Sequence, residues 1–285
     1  MKELYNSIAG SHAWNMEGMD SDFDYWVIYQ APSKSFLLGN THRGGHETHG
    51  HFPPLSPSTK YKGETIINIP ITWDRTSFEI GQHIRELMGG NINHVVALLA
   101  PSTYPFNEKE PNTDHRSIFF DHETIRQMLP GLPYGNKGPT TPEKSHTRYK
   151  IELRRIFLSN LSKNVFKSIN GMTRHNINRF FIPEHKSGKP NPRYIPDTKE
   201  NEPIRRKKIG QIQRLVEFGY HVLLEGKYEL RPVEIHDGSN GELLILKQWQ
   251  EDLQHAYNAS DLPEKPDAEP FEEFLLDLRM SMLDR

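Results

Sequence analysis

Residues Gly10 to Tyr25 read GSHAWNMEGMDSDFDY, and the prediction of the fold starts from this segment. The apolar lead-in Tyr5 to Ala9 predicts a strand that ends at Gly10. Asp22 and Asp24 follow inside an apolar and aromatic run, which predicts a second strand. Side chains alternate along a strand, so both carboxylates are expected on one face, a few ångströms apart.

These residue types suit the transfer of a phosphorus-containing group. Two close carboxylates repel each other unless a hard divalent cation bridges them, as Mg²⁺ does when it is held by one or two carboxylates and substrate phosphates. Gly10 lets backbone N–H groups approach a phosphate, and Ser11 adds a hydroxyl donor at the start of the next helix. Either feature alone is common in turns or on surfaces, so it is their conjunction that indicates function.

The pattern Gly10-Ser11, a short linker, then Ser21-Asp22-x-Asp24 resembles the signature of the DNA polymerase β nucleotidyltransferase superfamily. The resemblance implies an α/β (α+β) catalytic domain with a mixed sheet. It also implies that Asp22 and Asp24 are two metal ligands and that Gly10, Ser11 and Ser21 bind the nucleotide phosphates.

A third carboxylate on a neighbouring strand is a further implication of that resemblance. Glu79 is our choice for this catalytic metal ligand, because it lies between Phe78 and Ile80 in the form acid-between-apolar. Asp74, which follows Trp73, is the alternative, since one sequence cannot fix the register of a strand.

Later stretches narrow the resemblance. Apolar spacing predicts a helix at 80–88 that stops at Gly89-Gly90, and a second helix at 204–225 with a basic start. The motifs on them are Glu79 ahead of Ile-Arg-Glu-Leu with Gly90-Asn91, and Lys208 to Arg214 ahead of Leu224-Glu225-Gly226-Lys227. Together with the first motif these resemble the predicted nucleotidyltransferase family associated with RNA/DNA ligases, found in bacteria and large phages. Membership implies an all-helical domain after the catalytic one, with Lys208 and Arg214 reaching the triphosphate. A solvated helix face is the alternative for these two side chains.

Three positions depart from that family's pattern. Gln82 stands where the family usually has Lys, Val96 where it has Glu, and Gln211 where it has His. The expected metal ligands Asp22, Asp24 and Glu79 are nevertheless all present. Because of them we expect an Mg²⁺- or Mn²⁺-dependent enzyme that transfers NMP from an NTP to an acceptor, with nucleic acid as the expected acceptor. The alternatives are a protein or small-molecule acceptor, or an inactive module that binds nucleotide or nucleic acid.

Composition and periodicity divide the chain into four parts. They are a catalytic domain at 1–104, a connector at 105–141, a helical basic domain at 142–258, and an acidic C-terminal helix or tail at 259–285. The tail helix is amphipathic, and we expect it either to cap the basic domain or to contact a partner.

Charge is unevenly spread along the 285 residues, although the formal net charge is -2. Residues 142–214 carry 18 Lys and Arg against 6 Asp and Glu, whereas residues 250–285 carry 3 against 10. A basic middle segment suggests RNA or DNA as partner. Candidates for a phosphate-backbone track are Arg154, Arg155, Lys163, Lys167 and Arg174.

The chain has no cysteine, which excludes disulfides, thiol catalysis and cysteine-ligated zinc. No apolar run approaches the roughly 20 residues that cross a bilayer. We expect a cytoplasmic protein without a membrane partner, and the sequence leaves its oligomeric state open.

A histidine-rich stretch stands out between Gly39 and Lys62, a segment that Gly, Pro and Ser predict to be a loop. The stretch has three possible interpretations. It is a mobile flap over nucleotide or acceptor that uses Arg43, a structural metal site that includes Glu47, or an ordinary solvated insertion. Its four histidines are His42, His46, His49 and His51.

Overall fold

The computed structural model describes residues 2–14, 23–37, 46–51, 60–61, 64–65, 72–100, 143–184, 187–228, 230 and 242–281. The chain forms two compact units. Unit 1 comprises Met1–Arg85, Asn93–Phe157 and Ala268–Arg285, and unit 2 comprises Glu86–Ile92 and Leu158–Asp267. The first is mixed α/β, and the described part of the second is mainly helical.

The strands that the structure describes all belong to unit 1. They are β1 (Lys2–Ile8), β2 (Phe23–Gln30), β3 (His46–His51), β4 (Lys60–Tyr61), β5 (Glu64–Thr65) and β6 (Thr72–Glu79). Four of them form a mixed sheet in the order β1-β2-β6-β3, while β4 and β5 pair with each other. The β2/β6 pair is parallel, and β1/β2 and β3/β6 are antiparallel.

The helices are α1 (Gly10–Ala13), α2 (Ser33–Leu37), α3 (Ile80–Met88), α4 (Ile92–Leu99), α5 (Glu143–Ser159), α6 (Asn164–Phe180), α7 (Glu202–Glu225), α8 (Glu242–Ala259) and α9 (Glu269–Met280). A short 3₁₀ helix at Lys199–Asn201 leads into α7. The helices predicted after Glu79, around Lys208 and in the C-terminal tail are present as α3, α7 and α9, and α5 and α6 lie in the part of the chain that was predicted to be helical. The predicted stop at Gly89-Gly90 is confirmed, because Gly90 has a φ of +72° and its N–H bonds to the carbonyl of Leu87 at 2.9 Å.

Unit 1 packs its helices on the sheet through buried apolar side chains of every element type. Leu4 of β1, Ile28 of β2, Ile80 of α3 and Leu98 of α4 are fully buried, as is Phe271 of α9. The C-terminal helix is therefore part of the core of this unit. From the sequence we expected this helix to cap the basic domain or to contact a partner. An apolar stripe shows that a helix packs against another element, but it does not identify that element.

Unit 2 has its own core. Ile169 of α6, Ile212 and Phe218 of α7, and Leu253 of α8 are buried there. Gly219 lets α7 approach these neighbours, since a Cβ at this position would lie 2.8 Å from a methyl group of Leu253.

The histidine-rich stretch is not one continuous loop, which corrects the prediction for 39–62. His46–His51 pairs along β6 as an edge strand, and Lys60–Tyr61 forms β4. The sequence HETHGH has no alternation of apolar and polar residues, so it does not predict a strand. Its extended conformation comes from pairing with β6. The other histidine, His42, and the connector at 105–141 lie outside the described residues.

Within the ranges that the structure describes, no helix is both long enough and apolar enough to cross a membrane.

Candidate functional site

The site is built where β2 and β6 run side by side. Their parallel register pairs Asp24 with Asp74 and Phe23 with Trp73. Neighbouring strands lie about 4.8 Å apart, and paired residues project from the same face of a sheet. Two carboxylates, one from each strand, are thus brought together at the beginning of both strands.

Gly10 closes one side of this pair. It begins α1 directly after β1 and has a φ of +61°, a conformation that favours glycine. A Cβ at Gly10 would lie 2.0 Å from Oδ2 of Asp24, so the carboxylate occupies the space that any larger residue would fill. The main chain joins the same two segments, because the N–H of Ala9 donates to the carbonyl oxygen of Asp24 at 2.8 Å.

The predicted third ligand lies elsewhere on the sheet. Glu79 is the register partner of Tyr29, five residues along β6 from Asp74, which corresponds to about 16 Å. Its carboxylate is buried, accepts the N–H of Gly81 at 2.7 Å and is paired with Arg279 of α9. The structure therefore brings Asp74, the alternative, to Asp24 and does not bring Glu79 to them.

Strand register is the reason for this difference. Glu79 and Asp74 lie on the same strand, and both follow an apolar or aromatic residue. Choosing between them requires knowing which residue of β6 faces Asp24, and a shift of the whole strand along its partner leaves the sequence pattern unchanged.

The other residues of the first motif are placed only in part. Asp22 and Ser21 lie outside the described residues, and Ser11 lies in α1 next to Gly10. Among the residues that the structure describes, no group of three or more His, Asp or Glu side chains is positioned to hold a metal. Two carboxylates remain a suitable donor set for Mg²⁺, which usually completes its shell with water and substrate phosphates.

Strand β3 pairs with β6 on the side opposite to β2. Its register pairs His49 with Asp74, so the backbone order across the sheet is Asp24, Asp74, His49. The sequence placed this histidine in a loop of open function; the structure places it on the strand beside the carboxylates.

Lys208 and Arg214 lie on α7 in unit 2. The Lys208 ammonium donates to Gln211 at 3.2 Å and sits 4.8 Å from the centre of the Phe180 ring. Burial, and the charge of Lys207, lower its pKa. Arg214 is 8% exposed and donates from Nε to the carbonyl of Gly210 at 3.2 Å. Burial lowers the pKa of Arg214 to about 10, which leaves it charged at neutral pH. A fully solvated helix face does not describe either side chain.

The positions at which the chain departs from the family pattern have structural surroundings of their own. Val96 is buried within α4, and Gln211 accepts the hydrogen bond from Lys208. Gln82 lies on α3 with its side-chain oxygen buried.

Sequence reasoning missed a buried polar network in unit 1. The Tyr5 hydroxyl lies 2.6 Å from Nε2 of His83, and Nδ1 of His83 lies 2.7 Å from Nδ1 of His94. Nearby, the buried ammonium of Lys150 donates to Ser7 and to the carbonyl of Ala100, each at 2.6 Å. A usable signal existed in α3, where His83 shares the stripe of Ile80, Ile84 and Leu87 at helical spacing.

The predicted phosphate track is divided between the two units. Arg154 and Arg155 belong to unit 1, whereas Lys163, Lys167 and Arg174 belong to unit 2. Lys163 pairs with Glu264 at 3.5 Å, while Lys167 and Arg174 are exposed on α6. These last two are seven residues apart, so they project from nearly the same face of the helix.

No protein-family model matches the chain, and neither a curated protein nor a solved structure matches it.

Proposed function

We propose that the chain is a nucleotidyltransferase of the polymerase β type, which moves NMP from an NTP to an acceptor hydroxyl and releases pyrophosphate. One observation carries the proposal: Asp24 and Asp74 are register partners on adjacent parallel strands, with the glycine of a Gly-Ser pair against the Asp24 carboxylate. Carboxylates at this spacing beside a side-chain-free backbone suit a phosphate-bound divalent cation.

Asp24 and Asp74 would hold Mg²⁺ or Mn²⁺, and Asp22 would join them as the resemblance to the superfamily implies. The fit rests on the donor set, which is all oxygen, and on the glycine at position 10, whose missing side chain leaves room for the Asp24 carboxylate. When bound there, the ion would neutralise phosphate charge and favour ionisation of the acceptor hydroxyl.

The protein contributes positioning. Asp24 is fixed by the hydrogen bond from Ala9 to its carbonyl and by the contact of its carboxylate with Gly10, so it needs little rearrangement when substrate arrives. In the reaction the acceptor oxygen bonds to the α-phosphorus, the α-phosphorus to bridging-oxygen bond breaks, and the acceptor proton passes to water.

Nucleic acid is the acceptor class that unit 2 supports best. Lys167 and Arg174 are exposed on one face of α6, and Arg206 and Lys207 are exposed near the start of α7. Cations arranged along helices attract a phosphate backbone without regard to base sequence.

The test is transfer of label from each α-labelled NTP, with Mg²⁺ or Mn²⁺, into separate pools of tRNA, oligonucleotide and protein. We expect label in a nucleic-acid pool with the wild type, and a loss of about a hundredfold or more with Asp24→Asn. Retained binding of NTP without transfer to any pool would contradict the proposal and favour the binding module. Label confined to protein would instead exclude the nucleic-acid acceptor.

A further inference from the structure

A groove runs between α7 and α8 in unit 2, and none of its lining residues takes part in the proposed reaction. It encloses about 600 Å³, and its walls include Val216 and Leu224 of α7 and Trp249 and Ala256 of α8. Tyr220 and Leu224 are each 42% exposed, which is high for large apolar side chains. The groove is thus an apolar surface that the described part of the unit leaves open.

The groove is long enough for about two to three turns of a helix. Its lining spans residues 216 to 224 on α7 and 249 to 259 on α8. At 1.5 Å per residue these stretches are about 12 and 15 Å long, or two to three helical turns. Two antiparallel or parallel helices that leave such a trough accept a third helix through residues spaced i, i+3, i+4 and i+7.

The groove is lined by two acidic side chains and by the imidazoles of His221 and His255. Glu217 and Asp252 both line it, while no Lys or Arg is among the lining residues. One oxygen of each carboxylate accepts a hydrogen bond from its own helix, from Gln213 at 2.7 Å and from Gln248 at 2.9 Å. These bonds hold both negative charges beside the apolar floor.

A third carboxylate, Glu225, lies outside the groove lining and has its charge compensated by Lys227. Glu225 is bonded by His221, a lining residue, at 2.9 Å and by Lys227 at 3.2 Å. Both hydrogen bonds lower the pKa of Glu225, so it stays ionised. The uncompensated charges of the lining are therefore those of Glu217 and Asp252, which disfavour a phosphate backbone as the occupant.

We propose that this groove docks a basic amphipathic helix of a partner protein. Apolar side chains of that helix would fill the space between Leu224 and Trp249, and its Lys or Arg side chains would flank Glu217 and Asp252. The proposal is independent of the proposed nucleotidyl transfer, because it uses neither its residues nor its substrate.

The test uses the full chain and a fluorescent 16-residue helical peptide with Leu at i, i+3, i+4 and i+7 and Lys elsewhere. A peptide of the same composition in scrambled order, which lacks the apolar stripe, is the control for non-specific attraction. We expect the patterned peptide to bind and to be cross-linked by a photoreactive residue placed at position 220, since Tyr220 lines the groove. The double variant Glu217→Lys/Asp252→Lys should weaken binding at least about tenfold.

Two surface variants distinguish binding of the peptide in the groove from non-specific binding elsewhere. Leu224→Lys should abolish binding, whereas Leu244→Lys should leave it unchanged, since Leu244 is 74% exposed on α8 but does not line the groove. Circular dichroism checks that each variant is folded.

Three results would overturn the proposal. They are equal binding of the scrambled peptide, unchanged binding by the charge-reversed variant, and a wild-type dimer in sedimentation that Leu224→Lys dissociates. The last result would make a second copy of the chain the occupant.

Discussion

Gly10 and Asp24 show how much of a site can depend on a missing side chain. The positive φ of Gly10 and the contact of its Cα with the Asp24 carboxylate both exclude other residues. The strand was predicted from the sequence, and Gly10 and Asp24 were selected there as candidate site residues, because Gly-Ser before an acidic, apolar strand is a local pattern. The closeness of the two residues is a tertiary contact that no local pattern contains.

Gly10→Ala is expected to displace the Asp24 carboxylate and to strain the backbone, since a Cβ would lie 2.0 Å from Oδ2. We predict a loss of divalent-cation binding and a fall of about 1 kcal/mol or more in the free energy of unfolding. Urea denaturation and Mn²⁺ titration measure the two effects. Gly171→Ala is the control, because a Cβ on that exposed residue of α6 meets nothing within 4 Å. It should stabilise by up to about 1 kcal/mol and leave Mn²⁺ binding unchanged.

Glu79 illustrates the limit of sequence reasoning at a single residue. An acid between apolar neighbours on a strand is compatible with a ligand and equally with a buried ion pair. Here the side chain meets Arg279, 200 positions later in the chain. Such a distant partner leaves no local signal, so only the fold separates the two roles.

Arg279→Met is predicted to destabilise unit 1 by about 3 kcal/mol, because it leaves the buried Glu79 carboxylate without its cation. The double variant Arg279→Met/Glu79→Gln should recover part of that loss, as measured by urea denaturation. Lys227→Met removes a pair with Glu225 whose side chains are 57% and 39% exposed, so it should cost under about 1 kcal/mol. If Arg279→Met and Lys227→Met lowered the free energy of unfolding equally, the structural role given to Glu79 would be refuted.

At the scale of elements, packing decides what periodicity leaves open. The apolar spacing of α3 predicts its bounds and its buried face, yet not the partners of His83. The structure surrounds this imidazole with the Tyr5 hydroxyl and His94, and the Lys150 ammonium lies close enough to oppose a further positive charge. Burial is the largest influence, and it holds the pKa of His83 well below its ordinary range.

This network predicts a loss of stability in acid. The unfolded chain takes up a proton on His83 near the ordinary pKa of about 6.5, whereas the folded chain resists protonation. Stability is therefore complete above that pH and falls as the pH drops towards the lower folded pKa, by about 1.4 kcal/mol per pH unit. Denaturation between pH 7.5 and 5 measures the slope.

His83→Gln keeps hydrogen-bonding groups without titrating, so it should reduce this slope. His175→Gln is the comparison, since His175 is exposed on α6. A slope that is the same in wild type and His83→Gln would show that the network does not cause the pH dependence.

The edge strand β3 was predicted as loop, and the reason is physical. His46–His51 lacks the alternation that marks a half-buried strand, and it gains its conformation from pairing with β6. Strand β2 was predictable because its apolar and aromatic residues favour extended backbone without help from neighbours.

At the scale of the molecule, the chain order differs from the spatial order. The sequence placed residues 259–285 after the basic domain as a separate tail, but Ala268–Arg285 belongs to the same unit as β1. Phe271, Phe274 and Leu278 are buried there. The division into an α/β part and a helical part was predictable from periodicity; the return of the chain to its first unit was not.

The basic surface of unit 2 gives a prediction about salt. If a single-stranded RNA probe follows Lys167 and Arg174, binding should weaken as the salt concentration rises. Each of the variants Lys167→Gln and Arg174→Gln should reduce the slope of log K against log salt by about 0.7. Fluorescence anisotropy at several KCl concentrations measures this slope. Lys247→Gln changes an exposed cation on α8, and it should leave the slope unaltered.

The proposed reaction requires that Asp24 and Asp74 together hold the divalent cation. The most direct measurement is an Mn²⁺ titration, followed by electron paramagnetic resonance, with a non-hydrolysable NTP and four proteins: wild type, Asp24→Asn, Asp74→Asn and Glu79→Gln. We predict that the two aspartate variants lose bound Mn²⁺ and that Glu79→Gln retains it wherever it remains folded. Wild-type affinity in Asp74→Asn, or loss of Mn²⁺ in a folded Glu79→Gln protein, would contradict the assignment.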